Sequence, residues 1–347
     1  VLTTDQLIAI DPARIASLTT TQLGYLASNQ ISALLPAQIA GMTTAQIQAL
    51  NTLQIGALTS LQIDALGQNQ VPALTTAQMA ALTTAQIIHF ATEDLPYLTS
   101  SQLNVLDSAQ LRALTDDQVA SLSTSQLSQL STQQVGRLSP SQIIALGSTQ
   151  IMAFSSAQIA ALSATQAAAI ETEDLAALKT SQIVGMDTSS IAALSNSQIA
   201  ALTGSQIAVL GAAQLTAMTN SQVASIELND LSSLSGSQVS AFNPTQIAAM
   251  TTDQLNALST SQLRALTTSQ IQALTSAQLP ALPASRLASL STSQTSALTS
   301  TQIPLLTTDQ IAALSKDMLN AWDSAQLRSL TIAQVPALTV DQLLELN

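Results

Sequence analysis

The stretch Leu82-Thr83-Thr84-Ala85-Gln86-Ile87, followed by Ile88-His89-Phe90, runs from one large apolar residue to the next in eight steps, and then the pattern restarts. Counted by eight from Leu2 through Ile10, Leu18 and Leu26 to Leu346, all 44 positions are Leu, Ile, Met, Phe or Trp, without insertion or deletion. A second apolar series runs from Leu7 through Ile15 and Leu23 to Leu343, with Ala167 and Thr295 as its exceptions. A third series starts at Gln6 and departs from Gln only at Arg14, Asp94, Asp174, Ser190, Asp230, Arg286 and Met318. The consensus is Leu-Thr/Ser-Thr/Ser-x-Gln-Ile/Leu-x-Ala. A period of eight residues marks a repeat architecture.

The residue after each member of the first series (the corner position) is mostly Thr, Ser, Asp, Asn or Gly, the types whose side chains or small size suit a helix N-cap. Gln follows three residues later, and Thr-x-x-Gln is a capping box; Thr43-Thr44-Ala45-Gln46 is one copy. Proline and charge test that register independently. Pro12, Pro36, Pro140 and Pro244 fall one residue after the cap, where the missing N–H costs nothing. Of the 20 acids, 18 sit on the cap or the next three residues, where the helix dipole favours anions. Arg112, Arg137, Arg264 and Arg328 lie toward the other end of their octads.

These signals predict an all-α solenoid of very short helices, one per octad, with about 43 repeats. Six helical residues span about 9 Å, too short to be stable alone, so stability must come from stacking. The two apolar series and the adjacent alanines (Ala33, Ala49, Ala57) are expected to face a shared axis. Pro72, Pro96, Pro280, Pro304 and Pro336 follow the second series. There a helix would lose a bond, so these octads are expected to hold one tight turn, of 3₁₀ type, and an extended bridge. A β-solenoid is the alternative, disfavoured by the Ala, Leu and Gln content. The number of octads per coil stays open. Residues 1–347 read as a single uninterrupted array.

The chain has 347 residues, with 46% apolar, 8% charged and 2% aromatic. Ordinary domains carry about 25% charge, so this is neither a typical globular chain nor a charged disordered tail. A net charge of −12 and only 8 basic residues leave no basic groove for nucleic acid. The absence of cysteine excludes disulfides and thiolate zinc sites. No apolar run approaches the ~18 residues of a membrane span, so no membrane insertion is expected, and no signal peptide is visible. The opening Val1 suggests a processed or excised piece.

Candidate chemistry reads as structure. His89, the only histidine, stands at the position usually held by Ala, beside Phe90; a lone imidazole there makes neither a multi-histidine metal site nor a persuasive Ser-His-Asp triad. Glu93-Asp94, Asp116-Asp117 and Glu171-Thr172-Glu173-Asp174 are acidic enough for calcium, but no calcium-loop motif accompanies them, and helix-start electrostatics explains their placement. Paired carboxylates would suit a hydrolase, yet aromatic platforms and long loops are lacking. Phe90, Phe154, Phe242 and Trp322 belong to the corner series, and Tyr25 and Tyr97 lie one residue before it. The Gln series is expected to cap helices and could also bond from coil to coil as a ladder. The Thr/Ser corners read as solvated caps rather than an ice- or polysaccharide-binding array. No phosphate-binding loop stands out. The expected catalytic, cofactor-binding and metal site residues are therefore none.

The octad resembles tandem arrays in large secreted or surface proteins of Gram-negative bacteria, along essentially the whole chain. That resemblance implies stalks, adhesin segments or extracellular filament material, and it carries no catalytic residues. The expectation is a structural, non-enzymatic, extracellular or cell-surface protein without cofactor. Its first expected partner is itself, head to tail, because Leu2 and Leu346 keep terminal coils apolar. The alternative is an adhesin-type module binding glycan, a surface or ice.

Overall fold

The structure is a computed structural model that describes residues 2–344. Leu346, invoked above for the second terminal coil, lies outside the described residues. The described residues form 38 short α-helices and four 3₁₀ helices, with no strand among them. The β-solenoid alternative therefore has no support. Two compact units are present, Val1–Leu178 and Lys179–Asn347, and both are built from the same octad.

Octad 43–50 shows the local logic. Thr43 is extended (φ −72°, ψ 160°), and the helix Thr44–Ala49 follows. The Thr43 hydroxyl accepts from the Gln46 backbone N–H at 3.2 Å, and Gln46 Oε1 accepts from the Thr43 N–H at 2.8 Å. Two of the orphan donors that every helix start leaves are thus satisfied by residues three apart. The helix ends at Leu50, extended again (φ −65°, ψ 131°). The reversal is made by two extended residues, the corner Leu50 and the next cap Asn51 (φ −78°, ψ 169°). No described residue has positive φ, which explains how so many turns need so few glycines.

The prolines sort as their positions require. Pro12, Pro36, Pro140 and Pro244 each open a helix. Pro96, Pro304 and Pro336 lie in 3₁₀ turns, Leu95–Tyr97, Ile303–Leu305 and Val335–Ala337. Pro72 sits in octad 67–74, which forms turns only. Pro280 departs from the expected tight turn and lies within the four-residue helix Gln278–Ala281. Its helix starts late, so the missing N–H falls in the first turn, where no intrahelical partner exists.

Coil size is read from spacing. Within each unit, helices three octads apart pack together: Thr20–Gly24 against Thr44–Ala49 in the first, Gly236–Ala241 against Thr260–Ala265 in the second. The start of a helix four octads on reaches the end of the same helix through its glutamine. One coil therefore takes between three and four octads. The core is the two apolar series: Ile47 is 0% and Leu50 3% exposed, and most counterparts match in both units, except that Leu2, Val335 and Leu343 are 44%, 47% and 51% exposed. The third buried position differs from expectation. Ala33, Ala49 and Ala57 are only half-buried, while Gln46, Gln54 and Gln62 are 1–2% exposed. Glutamine, not alanine, takes the third inward place.

Candidate functional site

The most elaborate feature is a seam of buried glutamines. Gln38 Nε2 donates to the Leu7 and Ile10 carbonyls at 2.8 and 2.7 Å. Gln62 Nε2 does the same to Ile31 and Leu34 at 2.9 and 2.7 Å. In the second unit Gln262 donates to Leu231 and Leu234 at 2.8 and 2.7 Å. The partners lie 31 and 28 residues earlier in each case. They are the carbonyl of an inward residue near a helix's end, which also accepts the N–H of the corner residue, and the carbonyl of that corner residue itself, one coil back. One amide thus caps its own helix with oxygen and the preceding coil with nitrogen. The expected double use of glutamine is present, but the ladder runs from amide to backbone carbonyl rather than from amide to amide. A buried amide needs both of its ends satisfied, and no shorter or acceptor-only side chain can do this.

The exceptions show what the seam tolerates. Ser148 Oγ donates to Asp174 Oδ1 at 2.5 Å across 26 residues, and the Gly204 N–H donates to the Asp230 carboxylate at the same offset. Ser148 and Gly204 are first residues of their helices. A carboxylate has no hydrogen to give to carbonyls, so it turns to the donors at the next helix start. Glycine at 204 permits the approach: a Cβ there would lie 3.0 Å from Asp230 Oδ1 and 2.7 Å from Ser233 Oγ. Burial, then the nearby Glu227, pushes the Asp230 carboxyl above the usual carboxylate range, with the Gly204 bond pulling the other way. Burial followed by Glu93 does the same to Asp94. Asp187, an exposed cap, is held below that range, chiefly by the N–H that Ser190 donates to it.

A coupled exception surrounds Trp322. Its Nε1 donates to the Thr295 carbonyl at 2.9 Å, the carbonyl that Gln326 would take by regular spacing. Gln326 keeps its regular partner Leu298 at 2.5 Å and takes Ser296 at 2.9 Å in place of Thr295, the same 30-residue offset that Gln150 and Gln238 use. Thr295, the polar member of the second apolar series, is fully buried and returns its hydroxyl to the Ser291 and Thr292 carbonyls. The two sequence irregularities are one packing solution. At Arg286, by contrast, Nε and Nη2 are buried without a hydrogen-bond partner, and so is Asn256 Oδ1; nothing in the structure explains this.

The other sequence candidates are dispersed. His89 is half-buried at its alanine position. Among the described residues no three His, Asp or Glu side chains gather as a metal-ligand set. Glu93 and Glu173 point out as exposed residues, whereas Asp94 and Asp174 are each 5% exposed and occupy the seam. Sequence reasoning placed all four at helix starts and missed that the last two face another coil. Their register, on the Gln series, was the available signal. Phe90, Phe154, Phe242 and Trp322 are core residues, and Tyr97 is half exposed and Tyr25 largely so. Cap hydroxyls are engaged locally, as in Ser139 with Ser141 and Thr299 with Thr301. No described helix is long and apolar enough to cross a membrane.

A short helix in nearly every octad, stacked coils and a periodic seam define an all-α tandem-repeat protein of solenoid type. The repeat matches the ALTTAQ repeat family at residues 28–60, 87–124, 167–204, 223–260 and 252–284. Curated proteins yield no significant match.

Proposed function

We propose that this chain is a structural, non-enzymatic element working outside the cell or at its surface, as a stalk or as the subunit of a filament. The observation that carries the reading is the seam. Both units stitch coil to coil through buried amides on backbone carbonyls, an arrangement that rigidifies and leaves, among the described residues, no irregular loops of the kind that usually assemble a reacting site. The seam also has a direction. Each coil offers amide donors toward lower residue numbers and carbonyl acceptors toward higher ones. Two copies meeting head to tail would set donors against acceptors; head to head, donors would face donors. A heterologous contact of that kind does not close and builds a filament.

Electron microscopy of the purified, untagged chain at several concentrations tests this. Long uniform fibres that grow with concentration support the filament. Discrete rods of one length support the stalk and remove the filament. Reproducible turnover of a substrate, abolished by His89→Ala or by a single carboxylate substitution, would overturn the structural reading.

A further inference from the structure

Of the departures from glutamine in the third series, Arg286 and Met318 are the only two that lie four octads apart. Four octads is the spacing at which a seam amide reaches back, as from Gln38 to Leu7 and from Gln62 to Ile31. Octad 283–290 therefore has no amide to give to the coil before it, and it receives none from the coil after it.

The structure shows both gaps. A glutamine at 286 would serve the carbonyls of Leu255 and Leu258, and one at 318 those of Leu287 and Leu290. Among the described residues no side chain donates to any of these four carbonyls. Arg286 Nε and Nη2 are instead buried without a partner. Met318, 6% exposed, ends in a thioether with no hydrogen to donate. The start of the octad is bare as well: its cap is Pro283, which makes no side-chain cap bond, and the helix Ala284–Leu287 has four residues.

Both flanks are stitched. In octad 275–282, Gln278 reaches back to Ile247 and Met250, and Gln310 of the following coil reaches Leu279 and Leu282. In octad 291–298, Gln294 reaches back to Leu263 and Leu266, and Gln326 holds Ser296 and Leu298. What holds octad 283–290 is mainly apolar. Leu287 and Leu290 are 0% and 2% exposed, and the helix packs on Thr308–Ala313. One exposed bond is added, from Arg264 Nε to the Ser289 carbonyl at 2.7 Å.

Two effects lower the free energy of opening this octad. It lacks the coil-to-coil bonds that its neighbours must break. Opening also returns the buried guanidinium donors of Arg286 to water, and a buried donor left unpaired is destabilising. We propose that octad 283–290 is an opening point built into the second unit: it swings out as one segment while the octads on either side stay closed. Such local openings expose a backbone to exchange and proteolysis without global unfolding.

Trypsin acting on the full chain under native conditions tests this, because side-chain exposure and local opening rank its sites in opposite orders. Arg112 and Arg264 are exposed and lie in octads stitched on both sides, whereas Arg286 is half-buried. Of these three sites, the first cut is expected after Arg286. Met318→Gln restores the consensus residue, gives Leu287 and Leu290 a donor, and leaves Arg286 in place. It should slow the cut after Arg286 by about tenfold and leave those after Arg112 and Arg264 unchanged. A cut after Arg112 or Arg264 that precedes the one after Arg286, or a rate after Arg286 indifferent to Met318→Gln, overturns the opening point. Hydrogen exchange of the unaltered chain gives a second reading. The Leu290 N–H, bonded to Leu287 at 3.1 Å, should exchange about tenfold faster than the Leu266 N–H, bonded to Leu263 at 3.2 Å in a stitched octad; equal protection overturns the proposal.

Discussion

Octads 243–250 and 91–98 each contain a proline, and each buries its two apolar residues almost completely: Ile247 0% and Met250 3%, Leu95 1% and Leu98 4% exposed. They differ in everything else. Pro244 opens the helix Pro244–Ala249 behind the cap Asn243, whereas Pro96 lies five residues after the cap position, and only the turn Leu95–Tyr97 forms. Gln246, fully buried, accepts from the Asn243 N–H at 2.8 Å and donates to Leu215 and Met218 at 2.9 and 2.7 Å. Asp94 does none of this. Burial of the apolar series therefore does not require a helix in every octad; a turn of the right length presents the same two side chains. What the helix and glutamine add is polar closure, the satisfaction of backbone groups that burial would otherwise strand.

The largest way to break the contrast is Gln246→Glu. It keeps length but exchanges the donor for a charge against two carbonyls. We expect a loss of about 4 kcal/mol in local opening free energy at neutral pH, read by hydrogen exchange around Leu215–Met218 and partly recovered in acid. Next come Ile247→Ala and Leu95→Ala. If the apolar core is common to both octads, each costs about 3 kcal/mol in the same measurement; a much smaller cost at Leu95 would show that the turn octad is not a true core element. The smallest effect sharpens the irregular side. Gly67→Thr gives octad 67–74 a cap side chain in open space. It should stabilise by a few tenths of a kcal/mol, visible as slower exchange at the Gln70 N–H.

Much of the fold was legible because its determinants are local. The cap, the glutamine oxygen and the proline at the first helical position act within three residues, so an octad such as 43–50 announces its own helix. The five misplaced prolines likewise announced where helices would shorten, and only Pro280 kept one. The site was half legible. Gln46 could be read as a cap, but the direction of its nitrogen toward Ile15 and Leu18 depends on which residues lie one coil back. The same ignorance hid the inward turn of Asp94 and Asp174, the exclusion of Ala49 from the centre, and the link between Thr295 and Trp322. The bonds of Asp174 to Ser148, Trp322 to Thr295 and Gln46 to Ile15 span 26 to 31 residues, beyond the reach of any local preference.

By itself the sequence determined the repeat, the helix starts, the corners and the two apolar series, since these follow from hydrogen bonds and burial patterns internal to one octad. Only the tertiary structure decided that a coil takes between three and four octads. Short helices have no stable arrangement until their flanks and ends meet others, and the stacking that satisfies both a helix flank three octads away and a carbonyl four octads away is a property of packed coils, not of any eight residues.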